Sequence, residues 1–130
     1  MRDVHLQSTD DRTTAYRLWH RTLNQNAFFY DIDGIEWRSR NGVLRPVLLV
    51  ELTRADGVMN DACRAGVLER LRRSGQAERL RYVAKALDVS AVVVLFMDTL
   101  EGVWLYNLST EVGWEYVPID EWAKTLEGLI

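Results

Sequence analysis

The sequence predicts an α/β fold, a mixed central β-sheet flanked by helices, on three observations. Two runs rich in aromatic and β-branched residues surround Asn41-Gly42, a dipeptide that favours a tight hairpin. From Met59 to Leu87 the apolar residues change to helical spacing. Val89 to Phe96 is then almost continuously apolar, as expected of a strand covered on both faces and entered from a crossover helix.

Each element has its own local reason. Ser8, Thr9, Asp10 and Asp11 offer a cap and first-turn acids, and Ala15, Leu18, Trp19, Thr22 and Leu23 recur at helical spacing, which predicts a first helix from about residue 10 to residue 24. The strands of the hairpin are Phe28 to Trp37 and Val43 to Thr53. Val67, Leu68 and Leu71 form one helical stripe and Leu80, Val83, Ala84 and Leu87 another, with Ser74-Gly75 between them, so the region reads as two helices or one broken helix. Asp98 to Gly102 turns the chain into Val103 to Leu108, an antiparallel partner, and Trp114 to Val117 adds a short strand. A last helix from Pro118 would bury Ile119, Trp122, Leu126 and Leu129.

The chain has 130 residues, neither internal repeat nor low-complexity linker, and reads as a single domain, 1–130. One cysteine, Cys63, excludes an internal disulfide, and no cluster of Cys and His offers a zinc site. The charged N-terminus lacks the apolar core of a signal peptide and no apolar run is long enough to span a bilayer, so a cytoplasmic protein with no membrane partner is expected. A net charge of −3 argues against strong general affinity for nucleic acid, but the charge is uneven. Residues 1–89 carry 15 basic against 12 acidic residues, and residues 90–130 carry one against seven.

Chemistry concentrates on the hairpin. Asp31 and Asp33 share one face of the first strand, and Glu51 and Thr53 share one face of the second. A regular two-residue loop places Asp33 opposite Val50 and turns Glu51 to the other face, whereas a bulge or an odd loop places Asp33 opposite Glu51 and Asp31 opposite Thr53. Pro46 cannot donate to the ladder, so irregularity is reasonable there. In the second register three carboxylates and a hydroxyl gather, an arrangement that repels itself without a cation and whose hard oxygens suit Mg²⁺ or Mn²⁺. Glu51 also interrupts the apolar run Val47 to Val50, where a carboxylate needs a purpose or a partner.

The stretch Tyr30-Asp31-Ile32-Asp33-Gly34-Ile35-Glu36-Trp37, followed by Pro46-Val47-Leu48-Leu49-Val50-Glu51-Leu52-Thr53, resembles the PD-(D/E)xK nuclease superfamily, in which an Asp on one strand and Glu-x-Lys on the next build a metal site. The resemblance implies a restriction-endonuclease-like αβββαβ core over most of residues 10–108. It also implies a Mg²⁺- or Mn²⁺-dependent deoxyribonuclease with Asp33 and Glu51 as metal ligands and Asp31 assisting. Thr53 departs from the motif, occupying the catalytic position of the lysine that orients the attacking water. Arg54 should point to the opposite face, and Gln76 or Arg79 on the following helix is a candidate replacement donor.

Simpler readings stand beside these. The hairpin acids have Arg38, Arg40 and Arg45 as surface partners. Arg64, Arg70, Arg72, Arg73, Arg79, Arg81 and Lys85 form either a phosphate-tracking surface for DNA or a solvated helix face paired with Glu69 and Glu78. Trp19 and Trp122 fit core stripes, with Trp37, Trp104 and Trp114 as core, interface or base-stacking residues. His20 reads as a surface or capping histidine and Cys63 as a small apolar helix residue. Two further functions are open: a catalytically silent nuclease-fold module, and an unrelated oligomeric scaffold. A homodimer or larger complex would supply the specificity that so small a nuclease lacks.

Overall fold

The computed structural model describes residues 12–26 and 31–129, and the chain divides into two compact units, Met1–Asp31 and Ile32–Ile130. In the first unit residues 12–20 are helical (α1). The helix stops short of the expected residue 24 because Thr22 turns back on Trp19, its amide and hydroxyl both donating to the Trp19 carbonyl. Asn24 then closes a side-chain turn onto the Asn26 amide. Trp19, expected in a core stripe, is 53% exposed, stacked among Tyr16 and His20. Residues 28–30, expected to open the first strand, lie outside the described residues.

The second unit is mixed α/β. Its elements are β1 (Gly34–Arg40), β2 (Val43–Arg54), α2 (Asp61–Arg73), α3 (Gln76–Leu87), β3 (Ser90–Phe96), β4 (Gly102–Asn107), β5 (Trp114–Pro118) and α4 (Ile119–Gly128). The strands form one sheet in the order β1-β2-β3-β4-β5, with β2 and β3 parallel and every other pair antiparallel. α2 and α3 make the crossover that a parallel pair requires. Among the described residues the first strand begins at Gly34, and residues 31–33 have no ladder partner.

Asn41 and Gly42 take left-handed φ values of 54° and 76°, which is what a two-residue hairpin loop of the favoured hand demands. The ladder runs regularly from Arg40↔Val43 to Trp37↔Pro46, then skips Val47 and resumes at Glu36↔Leu48. This bulge falls beside the residue that cannot donate, and it shifts every later pair by one residue.

The sheet is buried on both sides, and alternate residues sort between two layers. Leu49, Val93, Leu95, Tyr106 and Leu108 pack under α2 and α3 against Leu68, Leu71, Leu80 and Ala84. Leu48, Val50, Val92, Val94 and Val103 face α4, which contributes Ile119, Trp122 and Leu126. The guanidinium of Arg38 on β1 pairs with Glu36 and donates to the Leu126 carbonyl, which also accepts the Leu129 amide at the end of α4. Helix α2 starts at Asn60, whose side chain accepts the Cys63 amide at 2.9 Å.

Gly102 is buried because the Tyr116 ring lies on it. An added Cβ would sit 2.1 Å from the Tyr116 hydroxyl oxygen. Gly102→Ala therefore expels that ring from its edge contact with Trp104, whose centroid is 5.4 Å away. A loss of about 1 kcal/mol, the usual worth of such an aromatic pair, is expected in urea unfolding, with no further loss when Tyr116→Ala is added.

Candidate metal centre

Extending the bulged register one residue past Gly34↔Val50 sets Asp33 beside Glu51. The side chains agree with that placement. The Leu52 amide donates to Asp33 Oδ2 at 2.9 Å, so Asp33 continues the β1 edge with its carboxylate where a ladder carbonyl would be. Glu51 lies on the α2/α3 side of the sheet, alternating with Val50 on the α4 side. From α3, Gln76 Nε2 donates to Glu51 Oε1 at 3.3 Å.

Glu51 is half-buried and its carboxyl is raised from 4.5 to about 7. Burial is the largest cause and the charge of Asp33 the next, with a hydrogen bond shared with Asp33 adding to them, while the Gln76 hydrogen bond and the positive charge of Arg70 pull the other way. The Leu52 amide engages Asp33 and Gln76 engages Glu51, and the two carboxyls also share a side-chain hydrogen bond with each other. The residues therefore fit a hard divalent cation that is held by two carboxylates and keeps several waters.

Thr53 occupies the next position on the Glu51 side of β2, half-buried and opposite Leu95 of β3. It brings a hydroxyl and no charge. Arg54 points to the other side and pairs with Asp98 at 3.1 Å and Asp56 at 3.4 Å. Asp31 belongs to the N-terminal unit, where Arg17 grips its two carboxylate oxygens at 2.7 and 2.9 Å. The expected gathering of three carboxylates is thus not seen: among the described residues no group of three or more His, Cys, Asp or Glu is placed to hold a metal. The physical reason is that Asp31 has a bidentate guanidinium partner, which neutralises it without a cation.

The basic residues of the helices are largely engaged within the fold. Arg72 donates to Glu111 and to the Tyr106 hydroxyl, both at 3.2 Å, and Arg81 pairs with the same Glu111 at 3.5 Å. Arg73 pairs with Glu69 at 3.5 Å, and Arg79 donates to the Ser74 carbonyl at 3.1 Å. Arg64 is largely buried, its guanidinium 3.7 Å from the centroid of the Trp104 ring. Trp114 stacks on Tyr106 and Trp122 joins the α4 layer, leaving Trp37 on β1 as a half-exposed indole of this unit. Cys63 is half-buried on α2.

A cavity of about 640 Å³ lies on the opposite side of the sheet, under α4, lined by Leu48, Val92, Leu105, Trp122 and Leu129 with Glu115 at its rim. It is apart from the carboxylate pair and contains a single acid. No described helix is long and apolar enough to cross a membrane.

Two contributors to the Glu51 environment were not separable by sequence. Gln76 was one of two candidate donors and Arg70 one of seven basic residues. The legible clue was the Ser74-Gly75 break, which makes Gln76 the first residue of a re-aimed helix. Compared with family models, with curated proteins and with solved structures, the chain matches none.

Proposed function

We propose that the chain is a small metal-dependent phosphodiester hydrolase acting on DNA, similar in plan to the PD-(D/E)xK nucleases, with Asp33 and Glu51 as its metal ligands. The observation that carries this reading is the pair itself: a bulge turns a half-buried strand glutamate onto the side of an aspartate, and burial first and that aspartate second raise its carboxyl to about 7. Such a pair costs the fold energy that a bound cation returns. The hairpin, crossover helices and parallel strand support the reading in part, since among the described residues two strands precede the crossover where an αβββαβ core has three. Mg²⁺ or Mn²⁺, when bound, would activate water and neutralise charge developing on the phosphate. Asp33 and Glu51 would hold it, Gln76 would keep Glu51 oriented, and the Thr53 hydroxyl would hydrogen-bond water beside them.

Thr53 and the basic helix residues favour a second reading, a silent nuclease-fold module. The motif lysine is missing, and Arg72, Arg73 and Arg81 are paired with Glu69 and Glu111 instead of being held out for phosphate. An active enzyme would then draw phosphate contacts from a second copy or a larger complex.

The two separate in one experiment. Supercoiled plasmid incubated with the protein in 5 mM Mg²⁺ or Mn²⁺, a roughly saturating range for such sites, is expected to be nicked, and EDTA is expected to stop it. Absence of nicking together with absence of any metal-induced rise in melting temperature overturns the hydrolase and leaves the module.

A further inference from the structure

We infer that Gln76 is the positioning residue of the carboxylate pair, holding Glu51 in place from α3, a contact separate from the water-orienting task that the motif assigns to position 53. This rests on the metal reading of Asp33 and Glu51. A glutamate on a strand has a long, rotatable side chain, and next to Asp33 its repulsive partner would swing it away. Gln76 Nε2, 3.3 Å from Glu51 Oε1, ties one oxygen down. The Leu52 amide does the same for Asp33 Oδ2. With one oxygen fixed on each side chain, a cation taken between the two carboxyls would be held by one oxygen of each, and the remaining positions of a six-coordinate ion would stay open to water and phosphate.

The local structure makes this arrangement specific to position 76. Helix α2 ends at Arg73, Ser74 caps it, and Gly75 takes φ 79° before α3 begins at Gln76. The Ser74 hydroxyl accepts the Gln76 amide at 3.3 Å, fixing the first residue of α3 at the break. Arg79, the other candidate donor, is turned back on the junction through the Ser74 carbonyl. A neutral amide is also suited to the place, because it donates to Glu51 without adding a charge that competes with the cation. What it cannot supply is the positive charge of the motif lysine.

The test uses Mn²⁺ alone, with the free ion counted by its paramagnetic resonance signal, on the full chain and on Gln76→Met, which keeps length and volume but lacks the donor. Gln76→Ala serves as a second variant, and circular dichroism establishes that each is folded. Mn²⁺ affinity is expected to fall about tenfold in both, on the scale known for outer-shell partners of metal ligands. Nicking is expected to lose kcat with KM for plasmid unchanged. Wild-type Mn²⁺ affinity in both folded variants overturns the role of Gln76 and leaves the Asp33–Glu51 site standing. A folded wild-type protein that binds no Mn²⁺ overturns that site and this inference together.

Discussion

Replacing Glu51 by Gln is expected to act in opposite directions on activity and stability. Metal-dependent nicking should fall about 10³-fold, the scale on which loss of a group stabilising transition-state charge acts. The metal-free protein should nonetheless become more stable at pH 8. The Glu51 carboxyl is raised from 4.5 to about 7, first by burial and then by Asp33, so the folded state holds its proton more tightly than the unfolded chain. The stability that this proton contributes is complete below pH 4.5 and is lost as pH rises through 7. For a fully buried group the difference corresponds to roughly 3 kcal/mol, and the water around a half-buried one reduces it to about 1–2 kcal/mol. Glu51→Gln removes the titrating group, so the variant should match the wild type near pH 4 and exceed it by that amount at pH 8. Mg²⁺ at about ten times its dissociation constant should restore about 1.4 kcal/mol to the wild type and nothing to the variant. Urea unfolding at both pH values checks this, and a variant less stable than wild type at pH 8 would mean that Glu51 is an ordinary structural hydrogen-bonding residue.

The hairpin illustrates what the sequence made legible and where it stopped. Asn41-Gly42 specified the turn because few other dipeptides adopt two successive left-handed conformations at low cost. The alternation of Leu48 and Val50 against Leu49 and Glu51 specified two faces, but which face met Asp33 turned on a single unpaired residue, Val47. Pro46 marked the neighbourhood of that irregularity without saying on which strand or by how many residues it would fall. The same limit applies to Gln76: Ser74-Gly75 announced a break, whereas the direction of α3 after it depends on how Ala77, Leu80 and Ala84 seat on the sheet. Trp19 failed for a different reason. Its spacing is helical and amphipathic, but spacing states only that an apolar stripe exists and not that a layer is present to cover it. Asp31 was assigned to the site by strand parity alone, and the long reach of Arg17 gives it a partner within its own unit.

Leu95→Ala should cost about 4 kcal/mol, near the upper part of the range for a leucine removed from a well-packed core. Leu95 is fully buried near the C-terminal end of β3, between Thr53 on β2 and Trp104 on β4, under α2 and α3. Its neighbours are held by the sheet on two sides, so the space cannot close without shifting a strand, and the lost contacts add to the lost transfer free energy. For a chain of this size the melting temperature should drop by roughly 15 °C. Leu52→Ala is the control, because Leu52 lies one position from Thr53 but on the α4 side, 48% exposed and opposite Val94. Truncating it should cost less than about 1 kcal/mol, as expected for a side chain that keeps much of its contact with water. The contrast tests the parity of β2 against β3 on which the Gln76 contact depends, since the register that pairs Leu52 with Val94 and Thr53 with Leu95 is the one that turns Glu51 toward α3. Equal costs for the two substitutions would mean that β2 and β3 are paired one residue away from this register, and Glu51 would then lie on the α4 side, away from Gln76.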